Sequence, residues 1–98
     1  MTNPAESVGI ENKIVTIVRK LKTKYSELGR YEMAFHLDRY KGEAYYDRVL
    51  ETIEDAGGFR VRFTDKSTID IPIEAIADYN DPNFVEKWGE KIMATRRT

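Results

Sequence analysis

The stretch YEMAFHL, residues 31–37, decides which fold the rest of the sequence implies. Large apolar side chains alternate here with other residues, a period of two that is typical of a half-buried β-strand. The apolar positions are Tyr31, Met33, Phe35 and Leu37. The stretch also contains Glu, Met, Ala and Leu, which are good helix formers. The unbroken alternation favours a strand, with a helix as the alternative.

A long amphipathic helix is predicted before this stretch. From Ile10 onward, apolar residues fall at steps of three and four, which places them on one helix face. Ser7 is a candidate N-cap, and Gly29 is a candidate helix stop. Residues 1–9 contain few apolar side chains, so we expect an N-terminal tail or cap there and a single domain over residues 10–98.

Two further helices are predicted after the stretch. One spans about residues 43–56, with the pair Gly57-Gly58 as its stop. If the alternating stretch is a strand, this helix would be the right-handed crossover of a βαβ unit. The other spans about residues 83–94, with Asp81 as its N-cap and Pro82 at its first position.

A β-hairpin is predicted between these two helices, within residues 59–73, where two runs alternate apolar and polar side chains. A register that pairs Phe63 with Ile69 keeps both apolar rows on one face of the sheet. The same register places Arg62 opposite Asp70 on the other face, as a cross-strand ion pair.

The sequence therefore predicts a small α+β domain in the order helix, strand, helix, β-hairpin, helix. If the alternating stretch were helical, three helices would precede the hairpin. That order over residues 10–73 resembles the winged helix-turn-helix family. The resemblance implies that Ala34 and Leu37 fill inward positions of the second helix, and Tyr46 and Val49 those of the third.

The composition argues against several kinds of protein. The 98 residues include 16 Lys and Arg and 17 Asp and Glu, so the formal net charge is −1. Cysteine is absent, which excludes disulfides, a thiol nucleophile and cysteine zinc sites. No apolar run approaches the roughly 18 residues of a membrane span, and the N-terminus lacks a signal-peptide pattern. We therefore expect a cytoplasmic protein that does not associate with membranes.

No motif for catalysis or cofactor binding stands out. His36 is the single histidine, and no nucleophile motif surrounds the serines. Gly57-Gly58 follows a predicted helix, whereas a phosphate-binding loop precedes one. Acid pairs such as Glu43 with Asp47 are explained by a solvated helix face more simply than by a metal site. We expect no catalytic residues, no metal and no cofactor, and hence no enzyme.

The near-neutral total conceals an uneven distribution of charge. Residues 1–41 carry eight bases and five acids, a net charge of 8 − 5 = +3. Residues 42–98 carry eight bases and 12 acids, a net charge of 8 − 12 = −4. The acids are densest in the predicted second helix, so that helix is unsuited to binding DNA phosphates.

The acids of the second helix lie close in sequence to a group of tyrosines, a residue type enriched at protein interfaces. The predicted function is therefore binding to another protein, as a regulator, an adaptor or a subunit of a larger assembly. The first or last helix could also form a homodimer. The candidate protein-binding residues are Tyr40, Glu43, Tyr45, Asp47 and Glu51.

A winged-helix-like regulator that binds nucleic acid is the alternative function. It would use the basic first helix and the hairpin to contact the phosphate backbone. The residues for this alternative are Lys20, Lys24, Arg60, Arg62 and Lys66.

Overall fold

The computed structural model describes residues 4–38, 44–45 and 56–98 of the chain. Along the chain the elements are α1 (Pro4–Lys24), β1 (Tyr31–Asp38), β2 (Ala44–Tyr45), β3 (Ala56–Phe63), β4 (Thr68–Pro72), α2 (Ile73–Ala77) and α3 (Phe84–Met93). In this described part, the strands form one antiparallel sheet in the order β2-β1-β3-β4. The domain is α+β, as predicted.

One hydrophobic core lies between the sheet and helices α1, α2 and α3 of the described residues. Steps of three and four along α1 place its buried side chains on one face, and the alternation in β3 and β4 does the same for the sheet. The fully buried core residues include Ile14, Ile17, Leu21, Phe59, Val61, Phe63, Ile69, Ile71, Phe84 and Ile92. All three helices contribute to this cluster, so they cover the same face of the sheet.

The alternating stretch is a strand, as the period of two predicted. Strict alternation would place Tyr31 and Met33 on the same face of the sheet, but they lie on opposite faces. Tyr31 pairs with the core residue Phe63, whereas Met33 pairs with Arg62 on the far face. A register shift at Glu32 inserts one residue between these pairs and so reverses the faces. Because this stretch is a strand, the winged helix-turn-helix order does not apply.

The hairpin has the predicted strands in a different register. Val61 pairs with Ile69, and Arg60 rather than Arg62 lies opposite Asp70. The predicted pairing of Phe63 with Ile69 was wrong by two residues, a shift that leaves every side chain on its predicted face.

Turn chemistry explains this register. The Asp65 carboxylate accepts hydrogen bonds from both the backbone N–H and the hydroxyl of Ser67, at 2.9 and 2.6 Å. The N–H of Lys66 donates to the carbonyl oxygen of Phe63, and Lys66 adopts a positive φ of 74°. The turn therefore closes at Phe63 and Ser67.

The predicted second helix was wrong at both ends, and residues 46–55 between them lie outside the described residues. Ala44 and Tyr45 form β2, and the glycine pair belongs to β3. Gly58 has a φ of +154°, and a Cβ there would lie 2.1 Å from the carbonyl oxygen of Ile71. The glycine thus permits close approach of two strands and is not a helix stop. Since β1 and β3 are antiparallel, the βαβ crossover was also wrong.

The boundaries of α1 differ from the predicted ones by several residues, whereas those of α3 differ by one residue at each end. Helix α1 begins at Pro4 and ends at Lys24, so Ser7 lies inside it and Gly29 lies beyond it. The carboxylate of Asp81 accepts the N–H of Asn83 at 2.8 Å, in a turn that precedes α3. Among the described residues, no helix is both long enough and apolar enough to cross a membrane.

Candidate protein-binding edge

The sheet ends on one side at β2, a strand of only two residues. These pair with His36 and Leu37, near the C-terminal end of β1. Within the described part of the chain, no strand pairs with the outer edge of β1 over residues 31–34. We call this stretch together with β2 the open edge. Such an edge presents backbone N–H and C=O groups to which another chain can add a strand.

The opposite edge, at β4, is closed by the C-terminal segment. Thr68 and Arg97 exchange two backbone hydrogen bonds, at 2.8 and 3.0 Å. The backbone N–H of Asp70 donates to the hydroxyl oxygen of Thr95 at 2.7 Å, and Pro72 has no N–H to offer. Three features therefore protect the β4 edge from pairing with another chain.

One of the five residues that the sequence selected for protein binding, Tyr45, lies on the open edge. It belongs to β2, so its predicted position on a helix was wrong. The other four lie outside the described residues: Tyr40, Glu43, Asp47 and Glu51. Residues 31–34 were not predicted to form an edge, because alternation identifies a strand without showing which side of it is paired.

The open edge carries an ion pair on the sheet face that points away from the helices. The Nε atom of Arg62 lies 3.3 Å from a carboxylate oxygen of Glu32. The guanidinium also lies over the ring of Phe35, 5.5 Å from its centroid. These contacts connect β3 to β1 across the face on which Met33 also lies.

The residues of the nucleic-acid alternative lie in separate places. The ammonium group of Lys20 donates to the backbone oxygens of Tyr79 and Asp81, at 2.9 and 3.2 Å. It therefore holds the loop between α2 and α3 in place. Arg60 forms two hydrogen bonds with Asp70 on the far face of the sheet.

The other two lysines of the nucleic-acid alternative, Lys24 and Lys66, also lie apart from each other. Lys24 lies 5.5 Å from the centroid of the Tyr25 ring, on the helix side of the sheet. Lys66 lies in the turn of the hairpin. Since the sheet separates the lysines of α1 from Arg60 and Arg62, the five residues form no common surface.

His36 is a core residue. Only 2% of its surface is exposed, and its ring centroid lies 5.1 Å from that of Phe59. As predicted, it lies on the face of β1 opposite Phe35, but that face is the one covered by the helices. This position assigns the histidine to packing between the sheet and the helices.

Polar side chains between α2 and α3 organise a loop. The indole N–H of Trp88 donates to a carboxylate oxygen of Asp78 at 2.9 Å. The ammonium group of Lys87 contacts the carboxylates of Asp78 and Asp81, at 3.3 and 3.1 Å. The hydrogen bond from Trp88, followed by that from Lys87, lowers the pKa of Asp78. In the described ranges, no group of three His, Asp or Glu residues is placed to hold a metal ion.

Neither a protein-family model, nor a curated protein, nor a solved structure matches this chain.

Proposed function

We propose that this protein is a protein-binding module and that its partner adds an extended segment along the open edge. The observation that supports this most strongly is the difference between the two edges of the sheet. The β4 edge is closed by Arg97, Thr95 and Pro72, whereas residues 31–34 have no partner strand in the described part of the chain. Proteins ordinarily protect both edges of a sheet, so an edge that no described residue pairs with is suited to a partner.

Recognition at this edge combines backbone and side-chain contacts. The backbone of β1 supplies hydrogen bonds that any extended segment can form, and the flanking side chains select among segments. Tyr45 belongs to β2 at one end of the open edge, and tyrosine is a residue type enriched at protein interfaces. Glu32 is exposed at the other end and is paired with Arg62, so a partner side chain there would meet an ion pair and not a single charge.

The biological role that fits is that of a cytoplasmic regulator, adaptor or subunit of a larger assembly. A module of 98 residues that binds by adding a strand needs no catalytic group and no cofactor. Tyr40, Glu43, Asp47 and Glu51 remain candidates for further contacts because they flank β2 in the sequence.

A single-site block of the edge tests this function. Since the chain has no cysteine, Ala44→Cys creates one thiol in β2, which a bulky maleimide can label. The labelled variant should lose a partner that the unmodified protein recovers from an extract of its source. The double variant Tyr45→Ala with Asp47→Lys should lose the same partner.

The matched control is Ala94→Cys, which carries the same label at an exposed position beyond α3. It should recover the partner as the unmodified protein does, and all three variants should keep their melting temperatures within a few degrees. If labelled Ala44→Cys recovers the partner as well as labelled Ala94→Cys, the open edge is not the binding surface.

A further inference from the structure

One end of the domain gathers four positive side chains from three separate segments of the chain. We call this group the basic end. It consists of Arg30, Lys66, Arg96 and Arg97. No two of these segments are neighbours in sequence, so the charge cluster arises only on folding.

Backbone contacts hold the three segments together. The N–H of Thr64 donates to the carbonyl oxygen of Arg30 at 2.9 Å, which joins the start of β1 to the hairpin turn. Thr68 and Arg97 exchange two backbone hydrogen bonds, which join the C-terminal segment to the same hairpin. The three segments that carry the basic end are therefore fixed relative to one another by backbone hydrogen bonds.

The cations of the basic end are not neutralised within the described residues. None of the four lies within 4.0 Å of a carboxylate there, whereas Arg60, Arg62 and Lys87 each do. Residues Arg30, Lys66 and Arg97 are exposed. This end of the molecule therefore keeps its positive charge available to a partner.

Asp65 interacts electrostatically with one of these cations, Arg96, but its carboxylate is hydrogen-bonded within the turn. One of its oxygens accepts both hydrogen bonds from Ser67. These bonds, with a smaller contribution from the charge of Arg96, lower the pKa of Asp65. The Nε atom of Arg96 is buried and has no acceptor among the described residues. Because Asp65 is hydrogen-bonded to Ser67, it does not satisfy the donor groups of the exposed Arg30 and Arg97.

We infer that the basic end binds a short acidic peptide segment of a partner protein, on a surface separate from the open edge. Three of its four cations are arginines, whose planar guanidinium groups match carboxylates in pairs of hydrogen bonds. The four cations lie at one end of the domain around the hairpin turn. They do not form a stripe along which a long polyanion would bind.

A short acidic segment fits this end better than nucleic acid for two reasons. The exposed residues of the turn at this end, Thr64, Asp65 and Lys66, include no aromatic side chain, so the turn offers no stacking platform for unpaired bases. The chain as a whole has a charge of −1, with −4 over residues 42–98, so a long polyanion would also meet repulsion. A short peptide at the basic end avoids most of that repulsion.

Fluorescence anisotropy with labelled peptides tests this inference on the full chain. The probe is an oligoglutamate peptide at low ionic strength, and an oligoglutamine peptide of equal length is the neutral comparison. Oligoglutamate should bind and oligoglutamine should not. The double variant Arg30→Glu with Arg97→Glu should weaken oligoglutamate binding by about tenfold or more, since each reversal replaces attraction by repulsion.

The matched control is Arg19→Glu, which reverses an exposed charge on α1 outside the basic end. This variant should bind oligoglutamate within about twofold of the unmodified protein. Equal weakening by Arg19→Glu would show attraction to overall charge and overturn the inference. Tighter binding of a single-stranded DNA probe than of oligoglutamate would also overturn it, in favour of a nucleic-acid surface. Both variants change only exposed side chains, so circular dichroism should confirm an unchanged fold.

Discussion

Arg60 and Asp70 lie directly opposite each other in β3 and β4, and the guanidinium of Arg60 donates two hydrogen bonds to the Asp70 carboxylate, at 2.7 and 3.0 Å. The two side chains are only 17% and 18% exposed. Water and salt therefore screen this pair less than they screen an ion pair on an open surface. The pair joins β3, an inner strand of the sheet, to the edge strand β4 on the face that points away from α1, α2 and α3.

A double-mutant cycle should detect this pair as a favourable coupling. Combining Arg60→Met with Asp70→Asn should give a coupling free energy of about 1 kcal/mol in urea unfolding, because the pair is bidentate and mostly buried. The same cycle with Arg62→Met should give a coupling near zero, since Arg62 lies opposite Thr68. A larger coupling of Asp70 to Arg62 than to Arg60 would show that the strands pair in another register.

Gly58 and Gly9 should respond in opposite directions to substitution by alanine. A Cβ at Gly58 would lie 2.1 Å from the carbonyl oxygen of Ile71, at a φ that alanine rarely adopts. Gly58→Ala should therefore lower the free energy of unfolding by about 3 kcal/mol or more, or prevent folding.

Gly9 is the control, since it lies inside α1 and a Cβ there meets no described atom within 4 Å. Gly9→Ala should raise the free energy of unfolding by about 0.5–1 kcal/mol, because alanine is the better helix former. Thermal melts of the two variants measure both effects. A Gly58→Ala variant as stable as Gly9→Ala would mean that β3 and β4 do not approach each other this closely.

Lys66 holds a left-handed backbone conformation in the turn of the hairpin, with a φ of 74°. A side chain makes this conformation unfavourable, and glycine removes the penalty. Lys66→Gly should therefore raise the free energy of unfolding by up to about 1 kcal/mol in urea unfolding. Lys66→Ala, which removes the charge but keeps the Cβ, should give no such gain. A gain from alanine equal to that from glycine would indicate that the charge and not the backbone is the cause.

Tyr31 should titrate at unusually high pH. Burial of its hydroxyl, the negative charge of Glu11 and the hydrogen bond to that carboxylate raise its pKa from 10.0 to about 12. The folded state therefore favours the neutral phenol. The stability that this contributes is fully present below pH 10 and is lost as the pH rises towards 12.

The ultraviolet absorbance of the phenolate measures this titration in the folded protein. Tyr31→Phe should remove the step near pH 12, and Glu11→Gln should move that step to lower pH because it removes the nearby negative charge. If Glu11→Gln leaves the step unchanged, Glu11 does not lie beside Tyr31.

The spacing of apolar residues along the sequence was sufficient to predict individual strands and helices. The period of two identified β1 and both strands of the hairpin, and the steps of three and four identified α1 and α3. The register of the hairpin was not accessible in this way, because a shift of two residues preserves the hydrophobic faces. The hydrogen bonds from Ser67 to Asp65 decide between the two registers.

The errors concern features that depend on contacts between distant residues. A glycine pair after an apolar helical pattern is as typical of a helix stop as of a close strand contact. Only the nearby Ile71 carbonyl shows why glycine is needed at Gly58. The extra residue at Glu32 leaves no mark in the alternation. The candidate edge was inaccessible for the same reason, since strand order brings β3 beside β1 and leaves the other side to β2.

Amide hydrogen exchange of the protein with and without its bound partner tests the central claim, that a partner adds a strand to the open edge, most directly. The backbone amides of residues 31–34 that point away from β3 should exchange at least about tenfold more slowly in the complex, because new inter-strand hydrogen bonds protect them. Amides of Thr68 and Asp70, already bonded in the free protein, should not change. Protection that appears elsewhere, with residues 31–34 exchanging as in the free protein, would contradict the proposed mode of binding.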